Sequence, residues 1–137
     1  MPKIEVSNGE IIDKFTILLI KKDKIKDAFK LKHIENELNV FLNILNSESD
    51  QDEVDKLRNV PDALINDLKE INSKLWDIED EIRLKEQDKD FGDQFIELSR
   101  SIYILNDKRF RIKNKINEVT KSVLREQKDH KTCEGTI

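Results

Sequence analysis

Apolar residues recur at helical spacing along the first third of the chain. The first series shares one face of a helix with 3.6 residues per turn and consists of Ile11, Phe15, Leu18 and Ile25. Ser7 stands three residues before Glu10, which is the spacing of a capping box and predicts a helix start there. The phase breaks after about residue 27, and a second apolar series runs from Leu31 to Leu45. The pattern therefore predicts two short helices joined by a tight turn near residues 27–30.

Two longer apolar series follow a polar connection. Residues 46–53 are acidic and carry no apolar periodicity, which is typical of a solvated loop. Beyond Pro61, a residue suited to the first turn of a helix, the third series comprises Leu64, Leu68, Ile71, Leu75, Ile78 and Ile82. The fourth comprises Phe95, Leu98, Ile102, Leu105, Ile112, Ile116, Val119 and Val123, with Arg109 in its one polar position. These series predict two long helices separated by a turn at residues 88–92.

The four series define the predicted fold class. The chain has 137 residues but only 3 Gly and 2 Pro, which sheets with tight turns use freely, so an all-β fold is nearly excluded. We expect an all-α, antiparallel bundle of about four helices, built from a short hairpin and a long hairpin with a coiled-coil-like seam. Residues 1–128 form a single helical domain in this interpretation. Residues 129–137 form a polar C-terminal tail that we expect to be disordered.

The charge balance limits the classes of partner. Charged residues make up 39% of the chain, against about 25% in an average globular domain, and the net charge is −4. This charge opposes a polyanion, and the basic residues of segment 108–115 do not share one helix face, so we expect no nucleic-acid partner. The longest apolar stretch, residues 15–20, is far shorter than the roughly 18 residues of a membrane span, and the N-terminus lacks an apolar secretory signal. We expect a cytoplasmic protein that does not bind membranes.

The predicted helices differ in length, and this difference has a consequence for assembly. The fourth spans on the order of 50 Å at 1.5 Å per residue, and each of the first two spans roughly 25 to 30 Å. Because the short hairpin cannot cover the long one, Ile116, Val119 and Val123 are expected to lack partners within the chain. Uncovered apolar positions of this kind usually pair with another chain. We therefore predict a homodimer, with another helical protein as a further candidate partner.

Acidic pairs at helical spacing suggest one kind of site, a metal centre. One Cys and two His cannot form a Cys/His zinc site, but carboxylate oxygens suit Mg²⁺. Asp77 with Asp80, and Glu10 with Asp13, are each three residues apart and share a helix face. This pattern is similar to the all-α nucleotide pyrophosphohydrolases, which bind Mg²⁺ through Glu-x-x-Glu and Glu-x-x-Asp motifs on adjacent helices. With 29 acidic residues such pairs also arise by chance, and a solvated acidic face is the simpler interpretation.

Polar residues beside the apolar seams suggest a second kind of site, a ligand pocket. They lie on the third and fourth predicted helices and include Trp76, Arg83, Tyr103, Asn106, Arg109 and Lys113. Arginine is suited to bidentate contact with a carboxylate or a phosphate, and an aromatic ring supplies a flat apolar wall. The same residues could instead form a network that only fixes the helix register, which is the simpler interpretation.

Four segments of the chain carry a resemblance. They are Glu5–Leu18, Leu75–Arg83, Asp90–Gly92 with Phe95, and Tyr103–Asn117. Together they resemble a family of short bacterial all-helical proteins that is known only as a domain of unknown function, over roughly residues 3–128. The resemblance transfers no activity. It implies that a site is to be sought first at the polar residues of these segments, namely Asn8, Glu10, Asp13, Lys14, Trp76, Asp77, Asp80, Arg83, Asn106, Asp107, Arg109 and Lys113.

The sequence therefore predicts a non-catalytic module that binds another protein or a small anionic ligand. No catalytic residue is assigned and no cofactor is expected. The alternative is a Mg²⁺-dependent enzyme like the all-α nucleotide pyrophosphohydrolases, and Mg²⁺ enters only under that alternative.

Overall fold

The computed structural model describes residues 1–48 and 51–131, and every regular element in that part of the chain is an α-helix. The helices are α1 (Asn8–Lys24), α2 (Ala28–Leu45), α3 (Gln51–Arg58), α4 (Asp62–Gln87) and α5 (Asp93–Val119). The all-α class is thus confirmed. The expected number of about four helices is one short of the five in the described residues.

The additional helix is α3, which begins inside the segment predicted to be a solvated loop. Asp52 and Glu53 lie in its first turn, where carboxylates complement the positive end of the helix dipole. Val54 and Leu57, three residues apart, are buried, and Leu57 packs with Val60 in the main core cluster. Two apolar residues in eight are too few to define a period, so the pattern of apolar residues did not reveal this helix.

The ends of α1 and α2 are set by side-chain caps. The N–H of Glu10 donates to Oγ of Ser7 at 3.2 Å, which confirms the predicted helix start. The helix α1 ends at Lys24, about three residues earlier than predicted, because Ile25 is already extended. Asp27 then caps α2 by accepting from the N–H of Lys30 at 2.9 Å. The turn therefore lies slightly before the predicted position.

The helix α5 also ends earlier than the apolar series predicted. It stops at Val119 rather than Val123, because Lys121 adopts a left-handed conformation with φ 52°. The N–H of Ser122 then donates to the carbonyl of Asn117 at 2.8 Å, which closes the helix C-terminus. Val123 continues the apolar spacing but lies beyond the helix.

The helix α1 lies at the centre of the packing and contacts α2, α4 and α5. The main core cluster joins four of the five helices and consists of Ile12, Leu57, Val60, Leu68 and Ile116. A second cluster of Leu18, Ile34 and Leu38 joins α1 to α2, and a third of Ile71, Leu75 and Leu105 joins α4 to α5. Each apolar series thus supplies the interior, as predicted.

The length of α5 was overestimated, and with it the stretch of helix expected to lack partners. The helix measures about 40 Å at 1.5 Å per residue. Ile116 is fully buried in the main core cluster, so the expectation that it lacks a partner within the chain is wrong. Val119 and Val123 are 47% and 97% exposed. The core reaches further along α5 because Leu57 of α3 and Val60, which belong to none of the four predicted apolar series, pack in the same cluster as Ile116.

The structure bears only in part on the predictions about membranes and about the C-terminal tail. None of the helices in the described ranges is both long and apolar enough to cross a bilayer. Of the predicted tail, residues 129–131 are exposed, and residues 132–137 lie outside the described residues.

Candidate functional site

A polar layer crosses the interior where α1, α4 and α5 meet. Its members are buried although they carry polar or charged side chains: Asp13, Thr16, Asn72, Lys113 and Asn117. Buried polar groups normally need partners, since an unpaired group costs about 1–3 kcal/mol. The partners divide this layer into two parts, one centred on Lys113 and the other on Asn72.

Asn72 of α4 links the other two helices through both ends of its amide. Its Nδ2 donates to Oδ1 of Asp13 at 2.8 Å and to Oγ1 of Thr16 at 2.9 Å, both on α1. Its Oδ1 accepts from Nη1 of Arg109 on α5 at 3.2 Å. The orientation of the amide is therefore fixed, with its oxygen presented to the guanidinium.

Arg109 is held entirely by neutral oxygen atoms. Besides the bond to Asn72, its Nη2 donates to Oδ1 of Asn106 at 2.8 Å. The side chain is half-buried, and no carboxylate among the described residues forms an ion pair with it. Arg109 thus keeps an uncompensated positive charge in a fixed position, with N–H groups left over for a further acceptor.

A pocket of about 520 Å³ opens beside this guanidinium. Its apolar wall consists of Ile17, Ile20, Leu75 and Trp76, and Asn72, Asn106 and Arg109 form its polar part. Glu79, Asp80 and Arg83 complete the lining further along α4. The volume lies within the roughly 300–1,000 Å³ of small-molecule sites. An apolar wall with a few polar groups is also typical of such sites.

The charges at the far end of the pocket are partly paired. Nη2 of Arg83 lies 3.2 Å from Oε2 of Glu79, one turn earlier on the same helix, and the Arg83 side chain is 74% exposed. An exposed pair of this kind contributes about 0–1 kcal/mol to stability. Arg83 is therefore available to a ligand but is not fixed in position as Arg109 is.

Lys113 is the centre of the other part of the polar layer. Its Nζ lies 2.7 Å from Glu10, 3.0 Å from Glu126 and 3.8 Å from Asp13, and its side chain is only 9% exposed. Burial acts to lower the pKa of Lys113, but the hydrogen bonds of Glu10 and Glu126 and the charge of Asp13 raise it above the usual 10.5. Lys113 therefore stays charged and is fully occupied by acids of the chain itself.

Next to Lys113, α1 and α5 come unusually close at Gly9. The N–H of Gly9 donates to Oδ1 of Asn117 at 2.6 Å. A Cβ atom at this position would overlap the backbone carbonyl oxygen of Lys113. The adjacent N–H of Asn8 donates to Oγ of Ser122, so the start of α1 is attached to the end of α5. The absence of a side chain at Gly9 is what permits this approach.

The structure brings together four of the six residues predicted to bind a ligand. Trp76, Arg83, Asn106 and Arg109 line the pocket. Lys113 lies one turn beyond Arg109 and is engaged by acids, and Tyr103 is 48% exposed and lies outside the pocket lining. The predicted set did not include Asn72, which orients the guanidinium together with Asn106, or Thr16, which accepts from Asn72. It also lacked Ile17 and Ile20, which form the α1 side of the wall.

The four acids considered for a metal site do not form one set of ligands. Glu10 and Asp13 surround the ammonium group of Lys113, and Asp77 lies 3.5 Å from Nζ of Lys24. Asp80 lines the pocket. No group of three or more His, Cys, Asp or Glu in the described ranges is arranged to hold a metal ion. These residues as placed do not fit a Mg²⁺ site.

The pairing of Glu10 with Lys113 predicts a loss of stability in acid. Burial of Glu10 acts to raise its pKa, but the hydrogen bond and charge of Lys113, with the charge of Lys14, hold the pKa below the usual 4.5. A lowered pKa stabilises the folded state above pH 4.5, and this contribution is lost as pH falls through the folded-state pKa. We expect the thermal midpoint of the wild type to decrease as pH is lowered below 4.5, and to decrease less steeply with pH in Glu10→Gln. An equal slope in both proteins would contradict the assignment.

The comparisons with known proteins add a family but no activity. No curated protein and no solved structure matches the chain. A family pattern covers nearly all of it, including every residue of the pocket and of the Lys113 cluster, and so agrees with the resemblance inferred from the motifs. On that match over residues 2–137, the chain belongs to DUF6165, a family of unknown function.

Proposed function

We propose that this protein is a small-ligand-binding module whose pocket between α1, α4 and α5 takes an anionic group at Arg109. The observation that carries the proposal is the half-buried guanidinium, held by Asn72 and Asn106 and paired with no carboxylate of the described residues. A partly buried charge is costly unless it is paired. An anion supplied by a ligand would complete the pairing.

The geometry around Arg109 favours a planar or tetrahedral oxyanion. A guanidinium has five N–H donors in a fixed fork that matches carboxylate and phosphate oxygens. Two amide oxygens fix this fork in advance, so little side-chain entropy is lost when a ligand binds. Trp76 and the neighbouring aliphatic residues offer an apolar wall for the rest of the ligand.

The register interpretation of these residues applies better to Lys113 than to Arg109. A residue that fixes helix register is expected to be paired within the chain, as Lys113 is with Glu10, Glu126 and Asp13. Arg109 lacks such a pair and opens onto a cavity. The pyrophosphohydrolase alternative remains a prediction, and no specific contact in the described residues favours it.

A thermal-shift screen tests the proposal through Arg109. The panel contains small carboxylates, inorganic phosphate, sugar phosphates and nucleotides, because a ligand of the native state raises the midpoint by mass action. We expect Arg109→Gln to weaken binding about tenfold or more, the size of a charge-assisted contact. Arg100→Gln is the matched control, because Arg100 is exposed on the same helix and pairs with Glu97. Equal ligand-induced shifts in wild type and Arg109→Gln would contradict the proposal.

We also propose the arrangement and setting expected from the sequence. The proposed arrangement is two antiparallel hairpins, α1 with α2 and α4 with α5, the latter with a coiled-coil-like seam. The contact of Phe15 with Phe41 supports the first hairpin, and the cluster of Ile71, Leu75 and Leu105 supports the second. We place this bundle in the bacterial cytoplasm.

A homodimer through the C-terminal end of α5 completes the proposal. Val119 at the end of α5 and Val123 just beyond it are 47% and 97% exposed. We expect light scattering at micromolar concentration to give about twice 16.2 kDa for the wild type, and close to 16.2 kDa for the double variant Val119→Asp, Val123→Asp. A monomeric mass for the wild type would refute the dimer.

A further inference from the structure

Two positive and two negative side chains line the pocket, but not all of them are paired with one another. Arg83 and Glu79 form an ion pair with each other. The ion pairs of the described residues include neither Arg109 nor Asp80, which also line the pocket. One positive and one negative group of the lining therefore remain unpaired.

These two unpaired charges lie at different ends of the pocket. Arg109 is bonded to Asn72, and Asp80 follows Asn72 by eight residues on α4, so the two levels are about 12 Å apart along the helix axis. Trp76 lies midway, about 6 Å from each level. The pocket thus presents a cation, a flat apolar wall and an anion in sequence along one helix.

A simple anion would use only part of this pocket. It would pair with Arg109, but any extension along Trp76 would bring its far end to the carboxylates of Asp80 and Glu79. Like charges repel, whereas a cationic group there would gain from Asp80. Contacts of about 3 Å at each end leave on the order of 6 Å between the two charged groups of a ligand that spans both levels.

The geometry points to a bipolar ligand, with a carboxylate or phosphate at Arg109, an apolar chain against Trp76, and a primary amine at Asp80. This inference rests on the proposed function, because it adds a second recognition point to the same pocket. An ω-amino carboxylate represents the class, whereas the two charges of a simple α-amino acid stand too close together to reach both ends.

Tryptophan fluorescence provides the test, because Trp76 is the one Trp of the chain and lines the pocket. The probes are 6-aminohexanoate and hexanoate, which differ only in the terminal amine. We expect wild type to bind 6-aminohexanoate about fivefold more tightly, the size of a partly exposed ion pair. In Asp80→Asn the two probes should bind equally, because the amine of 6-aminohexanoate loses its carboxylate partner while the contacts of hexanoate are unchanged. Asp67→Asn, an exposed site on α4 outside the lining, should keep the fivefold preference.

The outcomes separate this inference from the proposed function. Equal binding of the two probes by wild type, or a preference that survives in Asp80→Asn, would overturn the bipolar ligand while leaving an Arg109-dependent anion site intact. If neither probe nor inorganic phosphate binds in a manner that depends on Arg109, both the inference and the proposed function are overturned. Only an amine preference that depends on Asp80 supports the inference.

Discussion

Lys113→Met is expected to lower the free energy of unfolding by on the order of 3 kcal/mol, the cost of breaking a buried ion pair. The substitution keeps the apolar stem but removes the ammonium group that faces Glu10, Glu126 and Asp13. Asp13 is 5% exposed, so its carboxylate would remain buried without a nearby cation. The loss should fall at the lower end of the range for buried pairs, because the Glu10 side chain is 29% exposed and can be partly hydrated.

Urea unfolding measures this loss, with Lys115→Met as the matched control. Lys115 lies two residues away on α5, is 61% exposed, and is 3.9 Å from Glu118, so its removal should change stability by less than about 0.5 kcal/mol. The double variant with Glu10→Gln should lose less than the sum of the two single variants, because both remove one interaction. Equal stability of Lys113→Met and Lys115→Met would contradict the assigned role.

Gly9→Ala is expected to destabilise the protein by about 3 kcal/mol, against the intrinsic helix preference of about 1 kcal/mol in favour of Ala. The added Cβ overlaps the carbonyl oxygen of Lys113 and lies 3.0 Å from Oδ1 of Asn117. Because backbone cannot rotate away as a side chain can, α1 and α5 must separate. This separation weakens the bond from the N–H of Gly9 to Asn117.

Gly92→Ala is the control for this substitution. A Cβ at Gly92 would approach only Oδ1 of Asp90, at 3.3 Å, which belongs to an exposed side chain. Gly92 is the N-cap of α5, where Ala costs a few tenths to about 1 kcal/mol. Denaturant midpoints of the two variants should therefore differ clearly. A Gly9→Ala protein as stable as wild type would show that the close approach is not required.

Much of the fold could be predicted from the sequence, because apolar residues recur with the helical period along each long amphipathic helix. The apolar series of α4, from Leu64 to Ile82, is regular enough to fix both its extent and its buried face. The exceptions were local. The helix α3 carries too few apolar residues to show a period, and a left-handed Lys121 ends α5 where Val123 still continues the spacing.

The candidate site was accessible only in part, because a pocket needs contacts between helices that no spacing encodes. Polar positions within or beside the apolar series indicated Trp76, Arg83, Asn106 and Arg109, all of which line the pocket. The spacing could not distinguish the role of Arg109 from that of Lys113, because the acids that engage Lys113 come from α1 and from the segment after α5. Asn72 was not among the predicted site residues, although it orients the guanidinium.

Arg109 and Lys113 therefore have different roles, one in binding and one in stability, although both lie on α5. They lie one turn apart on α5, and each carries a positive charge into the polar layer. Lys113 is compensated by carboxylates of the chain, which assigns it to stability. Arg109 is bonded only to amides beside an open pocket, which assigns it to binding. Loss of Arg109 should cost little in the unliganded protein, because pocket water can replace it at Asn72.

The most direct test of this division is the urea-unfolding free energy of Arg109→Gln and wild type, each measured without and with the best ligand of the thermal-shift panel. Without ligand the two proteins are expected to agree within about 1 kcal/mol, the cost of one solvent-accessible hydrogen bond. At a ligand concentration of about 100 times the wild-type Kd, wild type should gain about 2.7 kcal/mol, and Arg109→Gln, which binds about tenfold or more weakly, should gain about 1.4 kcal/mol or less. A loss of about 3 kcal/mol in the unliganded variant, or an equal gain in both proteins, would contradict the assignment of Arg109 to binding.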